Sequence, residues 1–364
     1  MPAEAAKALA TLLPQAPDDG ELHLRLGWLW FQAGDYEQAW IHYTRASKGL
    51  PDDPDPGLGL AWTAYRQGRS CTARTLFASV LERHPGLAAA SEGLELVGNR
   101  CWTLTAGAAA TGQKYAGNPW KNAAVGGTVN ASVLYDDRLL FSVVGRYGWF
   151  WAGTGAGFEV PPNFGQPEAY LSAAWVRDSW GVALHYAFAD ELNGNPQLTE
   201  VVGVSARVGL FGAETSLSWT STTVIERTEA GVRIPLPAGL SLSPSAAGQW
   251  TPEGLRGSVA LTASWQRKEF SLWVTGRWGR EIQPVYLTVP AIYNIPDDVI
   301  GGVSAGLWIP VNPHFAIEPS YEWHRLELTG SSGTLSSDAH FLTIGFQWSS
   351  RPWGESSARR QRAL

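Results

Sequence analysis

From Trp102 to Trp348 the chain alternates large apolar with small or polar side chains, at a period of two. Alternation of this kind gives a strand two unlike faces, each of which needs its own surroundings. Leu139, Phe141, Val143, Tyr147, Trp149 and Trp151 share one face, and Arg138, Ser142, Arg146 and Gly148 share the other. The pattern returns in Trp180, Val182, Leu184, Tyr186 and Phe188, in Phe211, Ala213, Thr215, Leu217 and Trp219, and in Leu342, Ile344, Phe346 and Trp348. One face is apolar throughout.

Fourteen such segments can be marked, at 102–113, 122–135, 138–151, 167–177, 179–190, 199–210, 211–221, 224–235, 239–249, 254–266, 269–280, 298–309, 314–325 and 338–349. Tight turns at 136–138, 177–179, 210–213, 237–239, 267–269 and 310–314 trade with connections such as 152–166, 191–198, 281–297 and 326–337. An even strand count, with short turns on one side and mostly longer loops on the other, is the layout of a bacterial outer-membrane barrel. A soluble sandwich or propeller also alternates, but it dresses its second face with Lys and Glu. Here that face is Gly, Ala, Ser and Thr with occasional Arg or Glu, and lysine nearly vanishes after residue 121.

The aromatic residues fit the same reading. Trp occurs 19 times, against 12 Phe and 11 Tyr. Tyr147, Trp149, Trp151, Trp219, Trp278 and Trp323 fall at the long-loop ends of their strands, and Tyr135, Trp175, Trp180, Phe211, Trp265, Phe270, Phe315 and Trp348 near the short turns. Amphipathic rings are most stable at headgroup depth, so these sets predict two girdles, with Phe150 alone of its stretch facing inward. No apolar run approaches the ~20 residues of a transmembrane helix. With a net charge of −6 and no basic stripe, nucleic acid is not an expected partner.

Before the strands, residues 1–100 carry a period of 34. Leu26, Gly27, Trp28, Gly34, Ala39, Tyr43, Ala46 and Pro51 are answered by Leu60, Ala61, Trp62, Gly68, Ala73, Phe77, Val80 and Pro85. Small residues at 27, 39, 61 and 73 let antiparallel helices approach, and each proline stops a second helix. Residues 20–87 resemble two tetratricopeptide repeats, with 3–13 as the last helix of a preceding repeat and 88–98 as a closing helix. The first-helix positions Leu24, Trp28, Phe31 and Gln32, then Leu58, Trp62, Tyr65 and Arg66, would line a concave groove. Trp28 with Trp62 and Phe31 with Tyr65 make an aromatic ladder suited to sugar faces or an apolar peptide. The competing reading is that a neighbouring helix or the barrel mouth covers these rings.

Inward parity exposes Arg146, His185, Arg207, Glu214, Arg227, Glu229, Arg233, Arg256, Trp273, Arg277, Trp308, Glu318, Glu322 and His324 to a lumen. Charges there need water or partners. Two readings stay open: an ion-paired network that braces or plugs the barrel, and a polar path whose arginines attract an anionic or polyhydroxylated solute. There is no His-Glu-x-x-His and no phosphate loop, and the glycine-rich 153–158 lacks a following helix. No enzymatic activity, cofactor or metal site is expected. Cys71 and Cys101 lack neighbours at metal-ligand spacing, which leaves free buried thiols or one disulfide. The first residues lack a secretory signal, so an exported chain is expected to begin after the signal or inside a longer sequence.

A barrel preceded by tetratricopeptide repeats resembles the exopolysaccharide exporters, such as those for cellulose and poly-N-acetylglucosamine, and the smaller YaiO-type barrels. In residues the match is confined to Leu26, Gly27, Gly34, Ala39, Tyr43, Ala46, Pro51 and their copies. The resemblance implies an α+β multidomain chain in the bacterial outer membrane: periplasmic repeats at 1–100, a transmembrane barrel at 101–350 and a basic periplasmic tail at 351–364. It further implies a channel that exports a polysaccharide or similar polymer, with the repeats docking polymer or partner proteins. The array is shorter, and the strands fewer, than the exporter pattern. The alternative expectation is a closed barrel anchoring a multiprotein envelope assembly for motility, adhesion or a surface filament. The arginines of the tail, Arg351, Arg359, Arg360 and Arg362, suit a periplasmic partner or a solvated segment.

Overall fold

The computed structural model describes residues 2–98, 101–119, 121–136, 138–153, 163–177, 179–190, 198–219, 223–267, 270–282, 285–286, 291–292, 298–330 and 333–350. The tail 351–364, the glycine-rich stretch 154–158 and the greater part of the connections 152–166, 191–198 and 281–297 lie outside the described residues. The chain divides into two compact units, Met1–Thr103 with the turn Tyr135–Arg138, and Leu104–Leu134 with Leu139–Leu364.

The first unit is helical: α1 Pro2–Ala10, α2 Gly20–Ala33, α3 Tyr36–Gly49, α4 Pro54–Arg66, α5 Ser70–Arg83 and α6 Ala88–Val97. Aspartates start three of these helices. Asp19, Asp35 and Asp53 accept from the backbone amides of Leu22, Gln38 and Asp55, and Pro54 sits at the first position of α4 where its missing N–H costs nothing. Gly34, at φ 81°, ends α2 in the left-handed region, where glycine carries no Cβ penalty. Each sequence repeat is thus a helix pair, with α2 on α3 and α4 on α5. Leu26, Ala39, Ala46, Ala61, Ala73, Phe77 and Val80, all read from the period of 34, are buried. Each fully buried Leu or Phe contributes about 1.5–3 kcal/mol. The small residue at 27 is explained directly: a Cβ there would lie 2.8 Å from the Tyr43 ring. Cys71 and Cys101 form a disulfide, which decides between the two sequence readings. Beside it, Asp136 accepts from the Cys71 amide at 2.9 Å and the Thr72 hydroxyl at 3.2 Å.

The second unit is a closed antiparallel barrel of fourteen strands: β1 Trp102–Ala116, β2 Lys121–Tyr135, β3 Leu139–Ala152, β4 Phe164–Val176, β5 Trp180–Ala189, β6 Thr199–Val208, β7 Phe211–Trp219, β8 Val224–Val232, β9 Leu240–Thr251, β10 Gly254–Gln266, β11 Ser271–Ile282, β12 Asp298–Asn312, β13 Phe315–Gly330 and β14 Gly333–Ser349. Consecutive strands pair, and β14 returns to β1 through Thr105↔Ser349 to Ala116↔Asp338. Closure leaves no unpaired edge, which a lipid-facing sheet requires.

Three segments differ from the sequence reading. Of the connection expected at 326–337, residues 326–330 and 333–337 are strand, since β13 and β14 pair from Leu326↔Ser337 to Gly330↔Gly333; their Ser, Thr and Gly residues read as loop while their backbone completes a ladder. The segment 224–235 breaks after Val232 and resumes only as Ile234–Pro235 paired to β9. Within 281–297, Val285–Tyr286 pairs with Ala291–Ile292.

The apolar face is turned outward. Phe141, Leu184, Phe211, Leu261, Trp278 and Leu342 are exposed, Trp278 by 78% and Phe211 by 68%, while Phe150 is buried inside as its parity requires. Girdle rings also hold rim carboxylates: Tyr186 and Trp219 both donate to Glu200, at 2.7 and 2.9 Å, and Trp323 donates to Asp338 at 3.1 Å. Amphipathic rings at these ends place an apolar body toward lipid and a polar tip toward water.

Candidate functional site

In the helical unit, α2, α4 and α6 surround a groove of about 1180 Å³. Leu24, Trp28, Phe31, Leu58, Trp62, Tyr65 and Arg66 line it, so the structure brings together seven of the eight residues chosen from sequence. Gln32 is exposed and does not line it. The ladder is asymmetric. Trp28 stacks on Phe31 at 6.3 Å and is 53% exposed, whereas Trp62 meets Phe77 edge-on at 5.0 Å and is partly buried. Leu9, Arg25, Leu29, Tyr43, Asp55, Gly59 and Leu96 complete the lining and are not marked by the aromatic spacing. Burial, and then Asp55, push the Tyr43 phenol up to about 12, so it stays neutral.

The barrel holds an ion-pair network on β7 to β13. Arg227 is its centre, reaching Glu214 at 2.8 Å, Glu281 at 3.1 Å and Glu229. Arg277 reaches Glu281 at 3.0 Å and Glu229 at 3.4 Å, while Ser245 and Ser258 bond to Glu229 and Glu281. Arg256 and Arg280 share Asp298, and Arg280 also pairs with Glu327. Arg227, Arg256 and Arg277 are each compensated, as charge withdrawn from water demands, while Arg280 is exposed.

On β1 to β4 and β12 to β14, Tyr115, Ala124, Phe150, Phe164, Val299, Leu326, Ala339 and Phe341 form a buried apolar cluster. Phe150 and Phe164 stack at 4.7 Å, and the Lys121 ammonium lies 4.9 and 5.3 Å from their ring centres. Glu168 receives Gln166 at 2.8 Å and Tyr170, and Arg146 lies 3.7 Å from it. These side chains pack together inside the long-loop half of the barrel.

The remaining inward residues separate. His185 bonds Ser172 and Ser205 at 2.8 and 2.9 Å, while His324 meets Glu322 at 3.3 Å on β13. β5 and β13 are not neighbours in the barrel, so the two histidines do not form one site. Arg207 is inward on β6, with its Nε buried and unsatisfied. Arg233 is a correction: it is exposed, because β8 ends at Val232 before its parity can carry it inward. Trp273, Trp308 and Glu318 line a separate cavity of about 200 Å³. Sequence reasoning did not name Lys121, Glu168, Gln249, Glu281 or Asp298. Glu168 and Asp298 have inward parity in sequence, and Glu281 continues the row of Trp273, Thr275 and Arg277 one step beyond the expected strand end. Among the described residues no group of three His, Cys, Asp or Glu could hold a metal ion.

An antiparallel barrel with an outward apolar belt, aromatic ends and a charged interior, joined to helical repeats, is of the bacterial outer-membrane type. A tetratricopeptide-repeat family model matches residues 2–54. No curated protein matches the sequence. Among solved structures, a Pseudomonas aeruginosa FadL homologue is similar at 10% identity and TM-score 0.40, covering 68% of this chain and 89% of that one. The Acinetobacter baumannii outer membrane protein Omp33 is similar at 8% identity and TM-score 0.39, covering 68% and 98%. The first tetratricopeptide repeat of Spaghetti (RPAP3), bound to an HSP90 peptide, is similar at 14% identity and TM-score 0.25, covering 26% and 76%.

Proposed function

We propose that the protein is an outer-membrane anchor for a docking module. The barrel holds the repeats at the periplasmic face of the membrane, and the repeat groove captures an apolar segment of a partner envelope protein; the role is non-catalytic. The observation that carries this reading is the groove of about 1180 Å³, walled by Trp28, Phe31, Trp62 and Tyr65, with Arg25, Arg66 and Asp55 available to orient a peptide's polar groups. The ion pairs and packed rings inside the long-loop half support an anchoring part for the barrel. The test is crosslinking and co-purification from envelope membranes of the full chain and of Trp28→Ala with Trp62→Ala. The double variant is expected to lose stoichiometric partners while its barrel still folds; equal capture by both chains would sink the reading.

A second reading, export of a polysaccharide through the barrel, is favoured by the cavity in the other half of the interior, where Asn130, Gln347 and Glu318 stand beside two tryptophans. It requires the long-loop half to open during transport. Charge reversal of Arg146, Arg207, Arg227, Arg256 and Arg277 is expected to abolish secretion, and full export by that multiple variant would remove it.

A further inference from the structure

The cavity of about 200 Å³ inside the barrel is built by β1, β2 and β11 to β14. Its two tryptophans are on the inward face, where the rest of the row is small or polar. Three glycines make it possible. A Cβ on Gly306 would lie 2.7 Å from the Trp273 indole, so only glycine lets that ring lie flat on the neighbouring strand. A Cβ on Gly107 would lie 2.5 Å from the Asn130 amide oxygen and 2.6 Å from that of Gln347. Two carboxamides from β2 and β14 therefore converge over one bare backbone position. On Gly345 a Cβ would meet Glu318 at 3.4 Å.

Neither Asn130 nor Gln347 has a side-chain hydrogen-bond partner among the described residues, although Gln113, Gln166 and Gln249 elsewhere inside the barrel are all engaged. A carboxamide offers donors and an acceptor together, which suits a hydroxyl that must both give and receive. Indole faces suit the C–H face of a saturated ring. The lining contains Glu318 but no Lys or Arg, which disfavours an anion. The volume equals roughly seven waters' share of the liquid, room for one six-membered sugar ring.

We infer that this cavity is a binding subsite for a single neutral pyranose unit of a glycan, its ring against Trp273 or Trp308 and its hydroxyls on Asn130, Gln347 and Glu318. The inference goes beyond the docking reading and uses no residue of the repeat groove. It deepens the export reading by naming a substrate class for the lumen, but the site can be occupied whether or not a polymer passes through.

The test is saturation-transfer NMR on the full chain in a detergent without a sugar headgroup, with methyl β-glucopyranoside and the methyl glycoside of N-acetylglucosamine as probes. Binding of at least one probe is expected, weakened about fivefold to tenfold by Trp273→Leu and by Gln347→Ala. Gly107→Ala, whose Cβ would displace the Asn130 and Gln347 carboxamides, is expected to abolish it. Trp28→Ala with Trp62→Ala should leave it unchanged. If Trp273→Leu does not fold, Asn130→Ser and Gln347→Ser carry the same expectation. No binding of either probe by the unaltered chain would overturn the site. So would binding that survives the cavity variants and disappears with the groove pair, which would place the sugar on the repeats.

Discussion

Gln249 grips the backbone of Ile282 with both ends of its carboxamide: Nε2 donates to the carbonyl at 2.6 Å, and Oε1 accepts from the amide at 2.7 Å. The two residues lie on β9 and β11, which do not pair, so the bond reaches over β10 on the interior side. Gly279 at φ 131° and a register shift between Trp278 and Glu281 turn the end of β11 toward that bond. The strand end is thereby held where Glu281 can meet both Arg227 and Arg277.

Gln249→Ala should release this end, because the Ile282 amide and carbonyl both lose the carboxamide that bridges them to β9 and water can take its place. Faster amide exchange at Ile282 and a higher single-channel conductance in planar bilayers than the unaltered barrel are expected. Equal conductance would show that the end of β11 does not restrict the interior.

Arg227→Met should be far more damaging than the loss of one surface charge. It leaves Glu214, Glu229 and Glu281 facing one another with only Arg277 among them. Breaking a buried pair from one side costs about 3–5 kcal/mol. The urea midpoint of the folded barrel, followed by its electrophoretic shift, should fall accordingly, and adding Glu214→Gln should recover part of the loss. A midpoint within error of the unaltered barrel would contradict the central place given to Arg227.

His42 makes the helical unit acid-sensitive. Its ring meets His23 at 2.9 Å, while His23 donates through Nε2 to the Pro17 carbonyl, so His42 supplies the shared Nδ1 proton. Burial first, then His23 and Arg45, lower its pKa from 6.5 to about 4. The unfolded chain therefore binds more protons between these values. The stabilising contribution is complete above pH 6.5 and is lost as pH falls toward about 4. Thermal unfolding of the helices, read by circular dichroism on the full chain, should show this slope. The slope should be shallower in His42→Gln, and identical slopes would refute the assignment.

Much of this was legible in the residues. Fourteen alternating segments give fourteen strands, Phe150 faces inward as its parity says, and seven groove residues follow from the repeat spacing together with its resemblance to tetratricopeptide repeats. The errors sit at strand ends. Arg233 carries inward parity one step too far, and Glu281 was stopped one step too soon, because strand length depends on pairing with a neighbour rather than on the local pattern. Lys121 is buried at the very start of β2, beside two phenylalanines from β3 and β4, and nothing near it in sequence marks a cation over aromatic rings.

By itself the sequence determined which side of each strand is apolar and which face of each repeat is aromatic, since periodicity is a property of a few adjacent residues. Only the tertiary structure decided that Arg227 meets Glu281, 54 positions away, and that Asn130 and Gln347 converge over Gly107. Those meetings depend on barrel closure and register, which are set by all fourteen ladders together. The parity of any one strand is the same whichever partner it finds.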